Sequence, residues 1–220
     1  MNDMKTILCY GDSNTWGYDP ARALRFDHNT RWPGVLQKIL NKGRPPDDPA
    51  YWVVEEGQCG RTCARDDPVE GGRNGLLHLI PILESHKPID IVVILLGTND
   101  LKRRFTPSPF DIGRSIRRTA VAAMNSCTGP GDAAPKVLIV CPPPAVDSPD
   151  FRKKFGDMFG DCVEISRRLP PYYRQAAEEC GAAYFDSSAL IKSSAADGIH
   201  WEKEEHGKLA AALAEILVKM

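Results

Sequence analysis

Short apolar runs ending in Gly, Asn, Asp or Pro alternate along this chain with stretches that carry a 3.6-residue apolar stripe, and that alternation restricts the fold more than any other feature. The runs at residues 7–10, 52–55, 89–96 and 136–141 read as buried parallel strands, and a shorter one at 182–185 reads as a fifth. Residues 32–40 place Trp32, Val35, Leu36, Ile39 and Leu40 on one helical face, with Thr30 just upstream as the expected cap. Residues 111–124, 172–180 and 202–217 show the same spacing. Regular alternation of this kind predicts an α/β fold, a three-layer doubly wound sheet whose functional groups gather at the carboxyl ends of the strands. No internal repeat, low-complexity tract or linker interrupts it, and the Pro/Asp-rich residues 44–50 read as a surface loop, so residues 1–220 are expected to form one domain.

Charge and cysteine usage narrow the function. Twenty-eight basic residues balance 29 acidic ones, and the basic ones are scattered, so no phosphate-tracking stripe exists and nucleic acid is not an expected partner. No apolar stretch suits a membrane span, and the first residues are too few for a signal peptide before the first strand begins, which makes the cytoplasm the expected location. Seven cysteines, several inside apolar runs (Cys9, Cys141), fit a reducing compartment. Cys59 and Cys63 have no second pair at zinc-site spacing, so no metal is expected.

Chemistry-bearing residues fall where the strands end. Gly11-Asp12-Ser13-Asn14-Thr15 follows the first strand and sets Ser13 on the first strand-to-helix turn. Asp197-Gly198-Ile199-His200 precedes the last helix, and a carboxylate three residues ahead of a histidine can orient its imidazole within one loop. A serine hydroxyl becomes a competent nucleophile when such an imidazole takes its proton. Gly57-Gln58-Cys59-Gly60 follows the second strand and Gly97-Thr98-Asn99-Asp100 the third, offering a backbone and a side-chain donor for an oxyanion. Each segment alone also reads as an ordinary turn; their conjunction at successive strand ends is what points to acyl transfer.

In this order, GDSNT, GQCGRT, GTND and DGIH resemble the sequence blocks of the SGNH (GDSL-type) hydrolases, from residue 11 to residue 200. The resemblance implies a flavodoxin-like, doubly wound, parallel five-stranded sheet. It further implies Ser13 as nucleophile, Asp197 and His200 as the rest of the triad, and the Ser13 amide, Gly60 and Asn99 as oxyanion donors, with no cofactor. Asn14 stands where the family usually has leucine, and Thr15 breaks the G-x-S-x-G pattern of α/β-hydrolases. Trp16-Gly17, Arg31-Trp32, Glu55-Glu56-Gly57, Asp66-Asp67-Pro68 and Asn74-Gly75 are similar to the bacterial arylesterase and acyltransferase branch. That branch implies a small-molecule ester substrate with a short acyl group, on an aryl or alkyl alcohol, and sometimes acyl transfer.

Asp12 is expected to hold the turn beside the substrate. Trp16 reads equally as a wall of an acyl pocket or as packing beneath the first helix with Trp32. Phe151, Phe155, Met158 and Phe159 read as a substrate mouth, a homo-oligomer contact or core. Two other functions fit parts of the pattern: a carbohydrate deacetylase using the same triad, and a flavodoxin-like ligand-binding module. The module leaves Asp197 and His200 without a purpose.

Overall fold

The computed structural model describes residues 4–220. Its sheet is built from β1 (Lys5–Gly11), β4 (Tyr51–Gly57), β5 (Ile91–Leu95), β6 (Lys136–Cys141) and β7 (Ala183–Asp186), all parallel, in the order β4-β1-β5-β6-β7. A separate two-stranded hairpin, β2 (Tyr18–Asp19) and β3 (Leu24–Arg25), follows the short helix α1 (Ser13–Trp16). The fold is thus the α/β, five-stranded, doubly wound architecture expected from the alternation.

Burial on both faces explains the strand composition. Along β1, Ile7 and Cys9 enter one apolar cluster while Leu8 and Tyr10 enter the other, and along β5 Val93 and Leu95 part from Val92 and Ile94 in the same way. A strand whose two faces are both covered reads as continuously apolar rather than alternating. The first cluster is closed by α2 (Trp32–Leu40) and α8 (Lys203–Leu217), through Trp32, Leu36, Leu209 and Leu213. The second is closed by α3 (Gly75–His86), α4 (Pro109–Met124) and α7 (Leu169–Cys180), with α5 (Pro149–Phe159) and α6 (Cys162–Arg167) beyond them.

Helix starts follow local chemistry. Ser108 and Ser148 accept hydrogen bonds from the amides of Asp111 and Phe151 and so begin α4 and α5. Thr30 does not cap α2. Its hydroxyl instead bonds Asp27, Arg31 is the N-cap without a side-chain bond, and Pro33 in the first turn supplies a residue that needs no amide acceptor there.

The chain reverses direction across the sheet at β1. From there it moves outward to β4 and then returns to β5 on the other side, so loops after β1 and β5 part at the carboxyl edge and leave a crevice. Ser13 and Asn99 stand on those two loops.

Candidate active site

Asp12 shapes the turn that carries Ser13. Its carboxylate accepts the Asn14 amide at 2.9 Å, as an N-cap does, and α1 ends after four residues at Gly17, which is left-handed (φ 90°). As the first residue of α1, Ser13 has an N–H with no intrahelical acceptor. The expected place of Asp12 beside substrate is corrected here. It is completely buried beneath the turn, and burial raises its pKa to about 6 against the opposing pull of the Asn14 amide and the His200 charge.

The Ser13 hydroxyl donates to His200 Nε2 at 2.8 Å, and His200 Nδ1–H donates to Asp197 Oδ2 at 2.7 Å, the tautomer being the one that satisfies both partners. Asp197 Oδ1 also accepts the amides of His200 (2.9 Å) and Ile199 (3.2 Å), which locks the loop that carries all three. Burial pushes the Asp197 carboxyl upward, but the His200 hydrogen bond, its charge and these amides outweigh it and hold the group below the usual carboxylate range. Sequence reasoning assigned no bond to Asn14, yet its Nδ2 donates to Ile199 O at 3.1 Å and ties the serine turn directly to the histidine loop.

Asn99 and Gly60 face the same space. Asn99 Nδ2 donates to Arg61 O at 3.2 Å and reaches Asp12 Oδ2 at 3.5 Å, so one hydrogen is held firmly and the other only at the limit of bonding. Gly60 is left-handed (φ 83°), and a Cβ there would lie 2.7 Å from Glu70 Oε2. The turn before Asn99 is as tight. Gly97 has φ 126°, and a Cβ would fall 2.0 Å from the Tyr173 hydroxyl, which donates to Leu96 O at 2.8 Å. Gly97→Ala is therefore expected to lower stability by about 2 kcal/mol or more in chemical denaturation; a loss under about 0.5 kcal/mol would mean the turn relaxes freely.

These groups surround a cavity of about 250 Å³ lined by Ser13, Gly60, Asn99, Ile199 and His200. Phe155, Met158 and Phe159 of the expected cluster supply its apolar wall, whereas Phe151 packs beneath the loop, where a Cβ on Gly198 would be 2.5 Å from its ring. Trp16 does not line the cavity. The Arg25 guanidinium covers its ring at 5.1 Å, and Tyr18, two residues on, takes the wall position instead.

Three wall residues went unnoticed in the sequence: Tyr18, Glu70 and Lys102. Lys102 is 1% exposed and pairs with Asp67 (3.2 Å) and Glu70 (2.5 Å), while Arg104 also reaches Asp67 (2.8 Å). Burial would raise the Asp67 carboxyl, but the Glu70 and Val69 amides and Lys102 together hold it down at about 2. No local pattern announces this cluster, because its members come from two loops brought together only by the sheet.

A parallel sheet of this order carrying such a site defines a carboxylic ester hydrolase of the SGNH type. The chain belongs to the GDSL-like lipase/acylhydrolase family, whose model matches residues 9–206. It is similar to the structure of Est24, a carbohydrate acetylesterase from Sinorhizobium meliloti, with 34% identity over 98% of this chain and 99% of that one and a TM-score of 0.89. It is also similar to the aryl esterase of M. smegmatis, with 36% identity over 98% and 99% of the two chains and a TM-score of 0.88. No curated protein matches it.

Proposed function

We propose that the chain is a one-domain serine esterase, releasing acyl groups of acetyl size from aryl or alkyl alcohols through an acyl-enzyme on Ser13. The observation that carries this reading is the unbroken hydrogen-bond chain from Ser13 through His200 to Asp197 on the wall of a small, partly apolar cavity. As Ser13 Oγ attacks the ester carbonyl, its proton passes to His200 Nε2, and Asp197 compensates the imidazolium charge. The developing oxyanion is then met by the amides of Ser13 and Gly60 and by the loosely held hydrogen of Asn99. Collapse of that intermediate expels the alcohol, which takes the proton from His200. Water, or a second alcohol in acyl transfer, repeats the sequence in reverse and frees Ser13. No metal or organic cofactor enters this cycle.

A cavity of about 250 Å³ walled by Phe155, Met158 and Phe159 accommodates a short acyl chain and crowds a long one. Among p-nitrophenyl esters of rising chain length, kcat/KM should be highest for the acetate and fall steeply beyond the butyrate. A flat profile out to the octanoate would defeat the small-acyl reading. Running the series with a competing alcohol measures acyl transfer in the same experiment.

The second reading, deacetylation of sugars, is favoured by Glu70, whose partly exposed carboxylate brings charge to the cavity wall and can meet free hydroxyls. Turnover of acetylated xylose against phenyl acetate separates the two. The proposed cytoplasmic setting fits the seven free thiols, and fractionation of cells tests it. Homo-oligomeric assembly is tested by light scattering.

A further inference from the structure

The Tyr18 ring lies over the His200 imidazole, with centroids 4.2 Å apart and 31° between the planes, while Phe155 stands edge-on to the same imidazole at 6.3 Å. The mechanism above makes no use of either contact. We propose that Tyr18 is a positioning residue whose ring holds the His200 imidazole in line with Ser13 and stabilises the imidazolium that forms as Ser13 is deprotonated. This rests on the Ser13–His200 reading.

Two arguments support it. Asp197 and Ser13 grip the imidazole at its two nitrogens, and two in-plane hydrogen bonds still leave the ring free to tilt about the line that joins them. A flat partner on one face resists that tilt. The second argument concerns charge. A cation over an aromatic face is attracted by the ring quadrupole, and a neutral ring much less so. The contact therefore strengthens while the proton travels from Ser13 Oγ to His200 Nε2 and weakens again when the alcohol takes that proton, which is the differential binding that accelerates a chemical step. Tyr18 itself exchanges no proton.

The hairpin is built to keep the ring in place. Phe26 N donates to Gly17 O at 2.7 Å and Arg25 Nε donates to Trp16 O at 2.7 Å, which pins the open end of β2–β3 to the end of α1, while Asp19 accepts the amides of Ala21 and Arg22 and orders the loop between the two strands. Other charged or titratable groups also bear on the imidazole. Asp197 belongs to its own loop, Asp12 lies beneath the serine turn, and His206 sits on α8, while the Tyr18 hydroxyl is under the influence of Asp197, Cys59 and Asp19. Because Asp12, pushed up to about 6, titrates beside the imidazole, a pH–rate profile alone would not single out the effect of the Tyr18 ring.

The test is to titrate the downfield Nδ1–H proton resonance of His200 by NMR alongside steady-state kinetics on p-nitrophenyl acetate. In Tyr18→Leu the midpoint of that titration should fall, by up to about one pH unit, and kcat should drop about three- to tenfold. The direction follows from the sign of the contact, since removing a partner of the cation lowers the pH at which the cation forms. Tyr18→Phe, which keeps the ring, should restore most of both. Replacing Tyr18 by pentafluorophenylalanine keeps the size and reverses the quadrupole, so it should behave like Tyr18→Leu and also serves if that variant fails to fold. A midpoint unmoved in both ring-altered variants, or a change confined to KM, would make Tyr18 only a cavity wall and overturn the proposal. A Ser13→Ala enzyme that kept its activity would instead overturn the underlying reading, whatever the Tyr18 variants did.

Discussion

Ser13→Ala should fold normally and lose about 10⁴-fold or more in kcat on an activated acetate ester. The hydroxyl makes one hydrogen bond, to His200 Nε2, so its loss should change stability by no more than about 1 kcal/mol. The covalent step, by contrast, disappears altogether. What survives is the background catalysis available from oxyanion donors and substrate binding alone. A serine-directed organophosphonate should add a single mass increment to the parent enzyme, mapped to the peptide containing Ser13, and none to this variant. Full activity in Ser13→Ala, or labelling at another serine, would remove Ser13 from the mechanism.

Asp197→Asn is the second large effect, expected to lower kcat by about 10³- to 10⁴-fold with little change in shape. The asparagine oxygen can keep the amides of Ile199 and His200 that Asp197 Oδ1 now accepts, so the loop survives. Its NH₂ then faces Nδ1 and donates where the carboxylate accepted. The imidazole is driven to carry its hydrogen on Nε2, and the nitrogen facing Ser13 can no longer take a proton. The same substitution has a signature in stability. A carboxyl held below its free value contributes stability that is complete above about pH 4 and fades as pH falls through its folded value. Urea midpoints measured from neutral to acid pH should lose that component in Asp197→Asn. An enzyme within about tenfold of the parent would mean that Asp197 only braces the loop.

What was legible in the sequence followed from periodicity and from turn chemistry. β1, β5 and β6 announce themselves because both faces are covered, whereas the edge strands β4 and β7 are only partly buried, and β6 is bounded to the residue by Lys136 and Cys141. The candidate residues Ser13 and Asn99 were legible because each follows a strand on a short motif, and Asp197 and His200 because their motif lies just before the last helix. The hairpin β2–β3 was not, since two residues per strand are too few for any alternation to show. Helix α3 was missed for a related reason: Pro81 lies inside it and interrupts the usual signal. Trp16 drew attention by its closeness to the serine, but the left-handed Gly17 turns the chain, so that Tyr18 faces His200 and Trp16 meets Arg25. The Asp67–Glu70–Lys102–Arg104 cluster joins residues 32 to 37 positions apart, and no local rule reaches that far.

The proposed nucleophile, Ser13, and its base, His200, are 187 residues apart along the chain. During synthesis, then, the serine-bearing turn leaves the ribosome long before the His200 imidazole that bonds it. A nascent or prematurely stopped product would hold a harmless alcohol rather than a working enzyme, and hydrolytic power would arrive only when α8 docks beside α2. Connectivity alone imposes that order of events.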